Sequence, residues 1–192
     1  MNLILLAAGK SSRIFKKIKK NKCLIKINQI SLIRHIINSA KFYLIKNIMV
    51  ITGFKPNNIK SELKDLNEIN FINNNKYQST DMVYSSILGL KKSKLDTLIS
   101  YTDIIFSKKI FKIFYKTKNK YITIPYIKNW KYVWNKRNKD IFDDAETFIV
   151  DSNSNLKEIG NVIDENNLKT INGQFLGVIF IPKNCIKIII KK

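Results

Sequence analysis

Cysteine occurs only at Cys23 and Cys185, and histidine only at His35. The two cysteines have neither metal-binding spacing nor a secretory context, so they read as free thiols in a reducing cytoplasm. No apolar stretch reaches the ~18 residues of a membrane span. The apolar start, Met1–Ala8, is too short for a signal peptide and has no basic segment ahead of it. Arginine is confined to Arg13, Arg34 and Arg137, so the formal charge of +21 is almost wholly lysine, scattered from end to end. With the heavy use of Ile, Asn and Lys, that scatter reads as compositional drift rather than a specific nucleic-acid surface. A field this positive still attracts a phosphorylated substrate. His35, mid-helix between Arg34 and Ile36, reads as structural.

What is present is enough for a globular domain. The 192 residues and 45% hydrophobic content support one domain with a real core. Residues 2–6, 47–52, 69–73, 97–103 and 121–127 are apolar runs that read as buried strands. Between them lie helical stretches at Ser31–Leu44, Pro56–Leu66, Thr80–Lys91 and Ser107–Tyr115. Strands apolar on both faces, alternating with helices, predict a Rossmann-like three-layer α/β/α fold with a mostly parallel sheet. After Ile127 the pattern changes to shorter, hairpin-like strands added to that sheet. No repeat, linker or clear domain boundary is visible. We therefore expect a single domain, with residues 1–127 binding nucleotide and 128–192 binding the acceptor.

Glycine is scarce, six in all, and one follows the first strand directly. Gly9, Gly53 and Asp103 all fall at the carboxyl ends of predicted strands, where open α/β sheets hold their ligands. The opening "LILLAAGKSSR" is not a Walker A loop, because Ile4 stands where that motif needs its first glycine. It is not the dinucleotide fingerprint either, since Ser11 replaces the second glycine.

What these residues resemble is the MobA-like and sugar-phosphate nucleotidyltransferase superfamily. Its signature, Leu-Ala-Ala-Gly-x-Gly-x-Arg and then Pro-Lys, is met by Leu6-Ala7-Ala8-Gly9-Lys10-Ser11-Ser12-Arg13 and then Asn21-Lys22. Ser11 and Asn21 depart from it. "NNKYQSTDMVYSS" (74–86), "LISYTDIIF" (98–106) and the aromatic stretch after Asn129 are similar to phosphocholine cytidylyltransferase-like proteins, and to 2-aminoethylphosphonate-activating ones.

The resemblance implies transfer of a nucleotidyl group, with CTP as the co-substrate and Mg²⁺ as the cofactor. The acceptor would be a small phosphate or phosphonate such as phosphocholine or 2-aminoethylphosphonate, and pyrophosphate would leave. Leu6, Ala7, Ala8, Gly9, Lys10, Ser11 and Ser12 would wrap the triphosphate, with Arg13 and Lys22 compensating its charge. Asp103 would hold the metal, although a strand-end aspartate also serves as a helix cap. Thr80, Asp81 and Ser85 would lie near base and ribose, with Thr80 equally readable as a cap. Asp81 stands where an amide is usual, and a carboxylate accepts without donating. Trp130, Tyr132 and Trp134, with Asp143, Asp144 and Glu146, would form an amine pocket, and Arg137 would meet the acceptor's phosphate. The alternation of Trp130, Tyr132 and Trp134 is equally that of one strand face packed on a core.

Relatives continue into a Trp-x-Glu-Ile-Asp segment with a second metal-binding aspartate, and these 192 residues lack it. The acceptor half therefore reads as truncated, leaving Asp143, Asp144, Asp164 or a single ligand to serve. The alternatives are a sugar-1-phosphate nucleotidyltransferase and an inactive nucleotide-binding remnant. An apolar edge, "GVIFI" or "IKIII", is free to pair with a second copy as a homo-oligomer.

Overall fold

Leu3, Ile4 and Leu5 are fully buried, because β1 (Asn2–Ala7) has a parallel neighbour on each side and packed residues on both faces. Each such side chain contributes roughly 1.5–3 kcal/mol by leaving water. The computed structural model describes residues 1–10, 20–116, 120–137 and 140–191. They fall into two compact units, Met1–Thr123 with Gly177–Lys192, and Ile124–Leu176.

In the first unit a short 3₁₀ turn (Lys22–Leu24) precedes a two-stranded ladder, β2 (Lys26–Ile27) and β3 (Ile30–Ser31). Helix α1 (Leu32–Phe42), β4 (Asn47–Thr52), α2 (Pro56–Glu62), β5 (Ile69–Asn73) and α3 (Met82–Leu90) follow. Then come β6 (Thr97–Tyr101) and α4 (Lys109–Lys116). Strands β1, β4, β5 and β6 run parallel. Alternation along β1 divides the core: Leu3 and Leu5 pack with Ile33, Ile37, Ile59 and Phe111, while Ile4 packs with Met49, Leu90 and Ile186. Helices therefore cover both faces, which is the three-layer arrangement expected.

The run 121–127 is not a strand of this sheet. Pro125 lacks the N–H that a central strand needs, and Thr123 makes only an isolated bridge to Phe180. The fifth strand is β11 (Val178–Ile181), antiparallel to β6 at the sheet edge. It leads into α6 (Lys183–Lys191). The sheet order is β11-β6-β1-β4-β5, so residues 177–192 belong with the first unit rather than with an acceptor half.

In the second unit β7 (Tyr126–Ile127) pairs with β10 (Gln174–Phe175), and β8 (Glu146–Val150) pairs with β9 (Leu156–Val162). Neither ladder pairs with a strand of the five-stranded sheet, contrary to the added-strand reading. The aromatic alternation is not a strand face either, because Trp130–Arg137 is a helix, α5. Trp130 and Trp134, four residues apart, share its buried side with ring centroids 6.2 Å apart. Tyr132 points to solvent. Among the described residues no helix is long and apolar enough to cross a membrane.

Candidate functional site

The register of β1 sets the site. Ala7 lies opposite Thr52 of β4, and Leu6 opposite Tyr101 of β6, so three strands end together. The turn after β4 closes on the turn after β1, where Phe54 N–H donates to the Ala8 carbonyl at 3.0 Å. Only glycine fits at 53, since a Cβ there would stand 2.8 Å from that carbonyl oxygen and 2.7 Å from Tyr77 Cβ. On the other side Thr102 Oγ1 donates to the Leu6 carbonyl at 2.9 Å, which holds the end of β6 against β1.

Over these strand ends opens a cleft of about 340 Å³, within the usual range for small-molecule sites. Leu6, Ala7, Ala8 and Gly9 form one wall, and Thr80, Asp81 and Ser85 another. Lys22 and Asp103 meet across it, with Nζ 2.7 Å from Oδ2 and each side chain about one-third exposed (34% and 31%). Lys10 is exposed. Ser11, Ser12 and Arg13 lie outside the described residues, as does most of the lysine-rich stretch after them.

Local structure settles several alternatives. Asp103 is not a helix cap: α4 begins at Lys109, whose N–H donates to Ser107 Oγ. The cap of α3 is Asp81 rather than Thr80, its Oδ1 accepting from Val83 N–H at 2.9 Å and Tyr84 N–H at 3.1 Å. The helix accordingly starts at Met82, two residues later than expected. His35 is hydrogen-bonded to the Ile27 carbonyl at 3.0 Å, a structural contact as expected.

Asn21, where the resembled signature has proline, keeps a proline-like φ of −59°. Its Nδ2 donates to the Phe54 carbonyl at 2.7 Å, while its buried Oδ1 has no partner among the described residues. Cys23 is also buried beneath the cleft, and burial pushes its thiol up to about 12, against a smaller opposing pull from hydrogen bonds. It is a neutral packing group. The sequence reading passed over Asn74, which is 1% exposed and lines the cleft. Its signal was its place directly after a strand, ahead of a turn and a helix cap.

The second unit holds the remaining candidates. Trp130 and Trp134 are 2% and 7% exposed and pack with Ala145, Ile163 and Ile171, so the proposed aromatic amine pocket is instead that unit's core. Arg137 is exposed, pairs with Asp144 at 3.2 Å and lies over the Trp134 ring. Glu146 is exposed at the start of β8. Asp164 accepts from the Asn166 and Asn167 N–H groups and closes a turn. Among the described residues no three of His, Cys, Asp and Glu gather as a ready-made metal cluster.

Both the sequence and the fold have known relatives. Residues 3–123 match the MobA-like NTP transferase domain. The CTP:phosphoglutamine cytidylyltransferase of Campylobacter jejuni is 30% identical over 188 residues, covering 93% of this chain and 72% of that protein. The inositol-1-phosphate CTP transferase of T. maritima shares the fold with a TM-score of 0.74 at 17% identity, over 97% of this chain and 72% of its own. The CTP:phosphocholine cytidylyltransferase of Streptococcus pneumoniae does so with a TM-score of 0.67 at 19% identity, over 99% and 74%.

Proposed function

This chain belongs to the MobA-like NTP transferase family, and from that premise we propose that it transfers a cytidylyl group from CTP to a small phosphorylated or phosphonate acceptor. The observation that carries the reading is the meeting of the Ala7–Gly9 loop, Lys22 and Asp103 in one cleft at the strand ends. The choice of CTP rests on the 30% identical relative. The acceptor, by analogy with phosphocholine, 2-aminoethylphosphonate and phosphoglutamine, carries an amine or amide beside its phosphoryl group.

An oxygen of the acceptor's phosphate or phosphonate attacks the α-phosphorus of CTP. The new P–O bond forms as the bond to the β-phosphate bridge breaks, and pyrophosphate takes the electron pair. Both reactants are anions, so the protein's task is positioning and charge compensation. The Ala7–Gly9 backbone wraps the triphosphate, and a Cβ at Gly9 would meet nothing within 4 Å among the described residues. Lys10, Ser11, Ser12 and Arg13 are assigned to the triphosphate on the family resemblance. Lys22 stabilises the charge on the α-phosphate.

The residues present suit a divalent cation carried largely by substrate, because Asp103 is a partly exposed carboxylate that already holds one cation, Lys22 Nζ. Mg²⁺ characteristically takes one or two protein carboxylates plus phosphate oxygens. Asp103 would hold it, and when bound it supplies neutralisation of the attacking and leaving oxygens. Arg137, Asp144 and Glu146 of the second unit are assigned to the acceptor, and the reaction to the cytoplasm.

The test is pyrophosphate release with Mg²⁺ and CTP, offered phosphoglutamine, phosphocholine, 2-aminoethylphosphonate and glucose 1-phosphate in separate reactions. Release that is lost in Asp103→Ala and on chelation supports the reading. Turnover confined to glucose 1-phosphate would replace the acceptor class, and CTP binding without release from any acceptor would make the chain a nucleotide-binding remnant.

A further inference from the structure

Asn74 controls where two hydroxyl protons in the cleft wall point. Its Oδ1 accepts the Lys76 N–H at 2.9 Å, which fixes the amide's orientation, since reversing it would set two donors against each other. Both amide hydrogens are then directed at hydroxyls. Nδ2 donates to Thr80 Oγ1 and to Ser85 Oγ, each at 3.1 Å. Thr80 donates its own proton to the Lys76 carbonyl at 2.8 Å, so toward the cleft it has only a lone pair to offer. The Ser85 proton is engaged by none of these bonds. Beside them Asp81 uses Oδ1 to cap α3 and leaves Oδ2 as a further acceptor.

We propose that Asn74 is a positioning residue for base selection, holding an acceptor at Thr80 and a donor at Ser85 side by side. Cytosine matches that order, because its amino group donates next to a ring nitrogen that accepts. Uracil carries the reverse, a carbonyl that accepts next to a ring N–H that donates. A polar wall fixed in one sense rejects the other because groups in it are left unpaired. The inference rests on the proposed function and on the place near base and ribose that the family resemblance implies for Thr80, Asp81 and Ser85.

Calorimetric binding of CTP and UTP to the wild-type chain, Asn74→Asp and Ser85→Ala tests it, with Tm measured for each. The carboxylate of Asn74→Asp has no hydrogens to offer, so Ser85 turns its proton inward and faces the cleft as an acceptor. Wild type is expected to bind CTP about tenfold more tightly than UTP, the value of one well-placed hydrogen bond. In both variants the ratio falls to about parity. A structural defect alone would weaken both nucleotides alike, so an unchanged ratio in folded Asn74→Asp overturns the proposal. Should that variant not fold, an unchanged ratio in Ser85→Ala overturns it equally, as does a wild type without preference. If wild type binds neither pyrimidine nucleotide, the proposed function fails separately. ATP and GTP, which carry the same contrast of amino and carbonyl groups, then read the polarity, and a lack of preference for ATP overturns this inference too.

Discussion

Lys22 Nζ and Asp103 Oδ2, 81 residues apart in sequence and 2.7 Å apart in space, join the 3₁₀ turn to the end of β6 at the mouth of the cleft. Both side chains are about one-third exposed, and such pairs contribute about 0–1 kcal/mol to stability. On the proposed function the two charges serve chemistry more than folding, and that can be tested. Lys22→Met and Asp103→Asn should each lower kcat/KM by about 10²–10³, the usual loss when one charge-stabilising group is removed. Their Tm values should stay close to that of wild type. Steady-state kinetics beside thermal melts checks this, and a large Tm drop with proportionate activity loss would assign the pair to the scaffold instead.

Gly9, which lines the cleft, and Gly53, in the turn packed on Ala8 and Tyr77, should separate folding from binding. At Gly53 a methyl group would stand 2.8 Å from the Ala8 carbonyl oxygen and 2.7 Å from Tyr77 Cβ, so Gly53→Ala should cost about 1–3 kcal/mol through overpacking. At Gly9 the same methyl meets nothing within 4 Å among the described residues, so Gly9→Ala should leave stability within about 0.5 kcal/mol. It should nevertheless raise the KM for nucleotide, because the methyl intrudes where the triphosphate backbone cradle must come close. Denaturant titration and initial rates with varied CTP distinguish the two.

The parallel core was legible because its inner strands β1 and β4 are near-continuous apolar runs, and such runs occur where both faces are covered. The placing of Gly9, Gly53 and Asp103 just past strand ends was legible because each follows an apolar stretch directly or within a few residues. The part played by Asn74 was harder to read, because asparagine is so abundant here that a place after a strand and ahead of a helix cap stands out little; the bonds it makes in the fold set it apart. The region after Pro125 was misread for a different reason. Trp130, Tyr132 and Trp134 satisfy a period of two, but Trp130 and Trp134 also satisfy the i, i+4 spacing of a helix. With so few apolar neighbours the local pattern could not choose, and packing against Ala145, Ile163 and Ile171 decided for the helix.

The two thiols should differ sharply in reactivity. Cys23 is 4% exposed, and burial pushes its pKa up to about 12, so at neutral pH it holds its proton and presents no nucleophilic thiolate. Cys185 is only half-buried. A chromogenic disulfide reagent at pH 8 should therefore react readily with Cys185 alone in the native chain, and with Cys23 only on unfolding. Loss of the rapid phase in Cys185→Ser confirms the assignment; rapid reaction of Cys23 would mean that the cleft floor opens in solution.

Acid sensitivity should trace to the clasp between α1 and the end of α2. Arg34 donates to Asp65 through Nη1 at 3.1 Å and again through Nη2, and to Glu62 Oε1 through Nε at 3.0 Å. Ser31 Oγ donates to that same Glu62 oxygen at 2.8 Å. The Arg34 guanidinium, mainly by hydrogen bonding, holds the Asp65 carboxyl below the usual aspartate range. A carboxyl whose folded pKa is depressed contributes stability above its unfolded value and loses it as pH falls through the folded one. Wild type should therefore be more stable than Asp65→Asn at neutral pH. The gap should narrow only once the solution is acidic enough to protonate Asp65 in the folded chain. Asp65 is largely exposed, so the gap is small and shrinks with added salt. Melting curves of both proteins from neutral to acidic pH, at low and high salt, check the sign, and a gap that widened in acid would show that another group governs the transition.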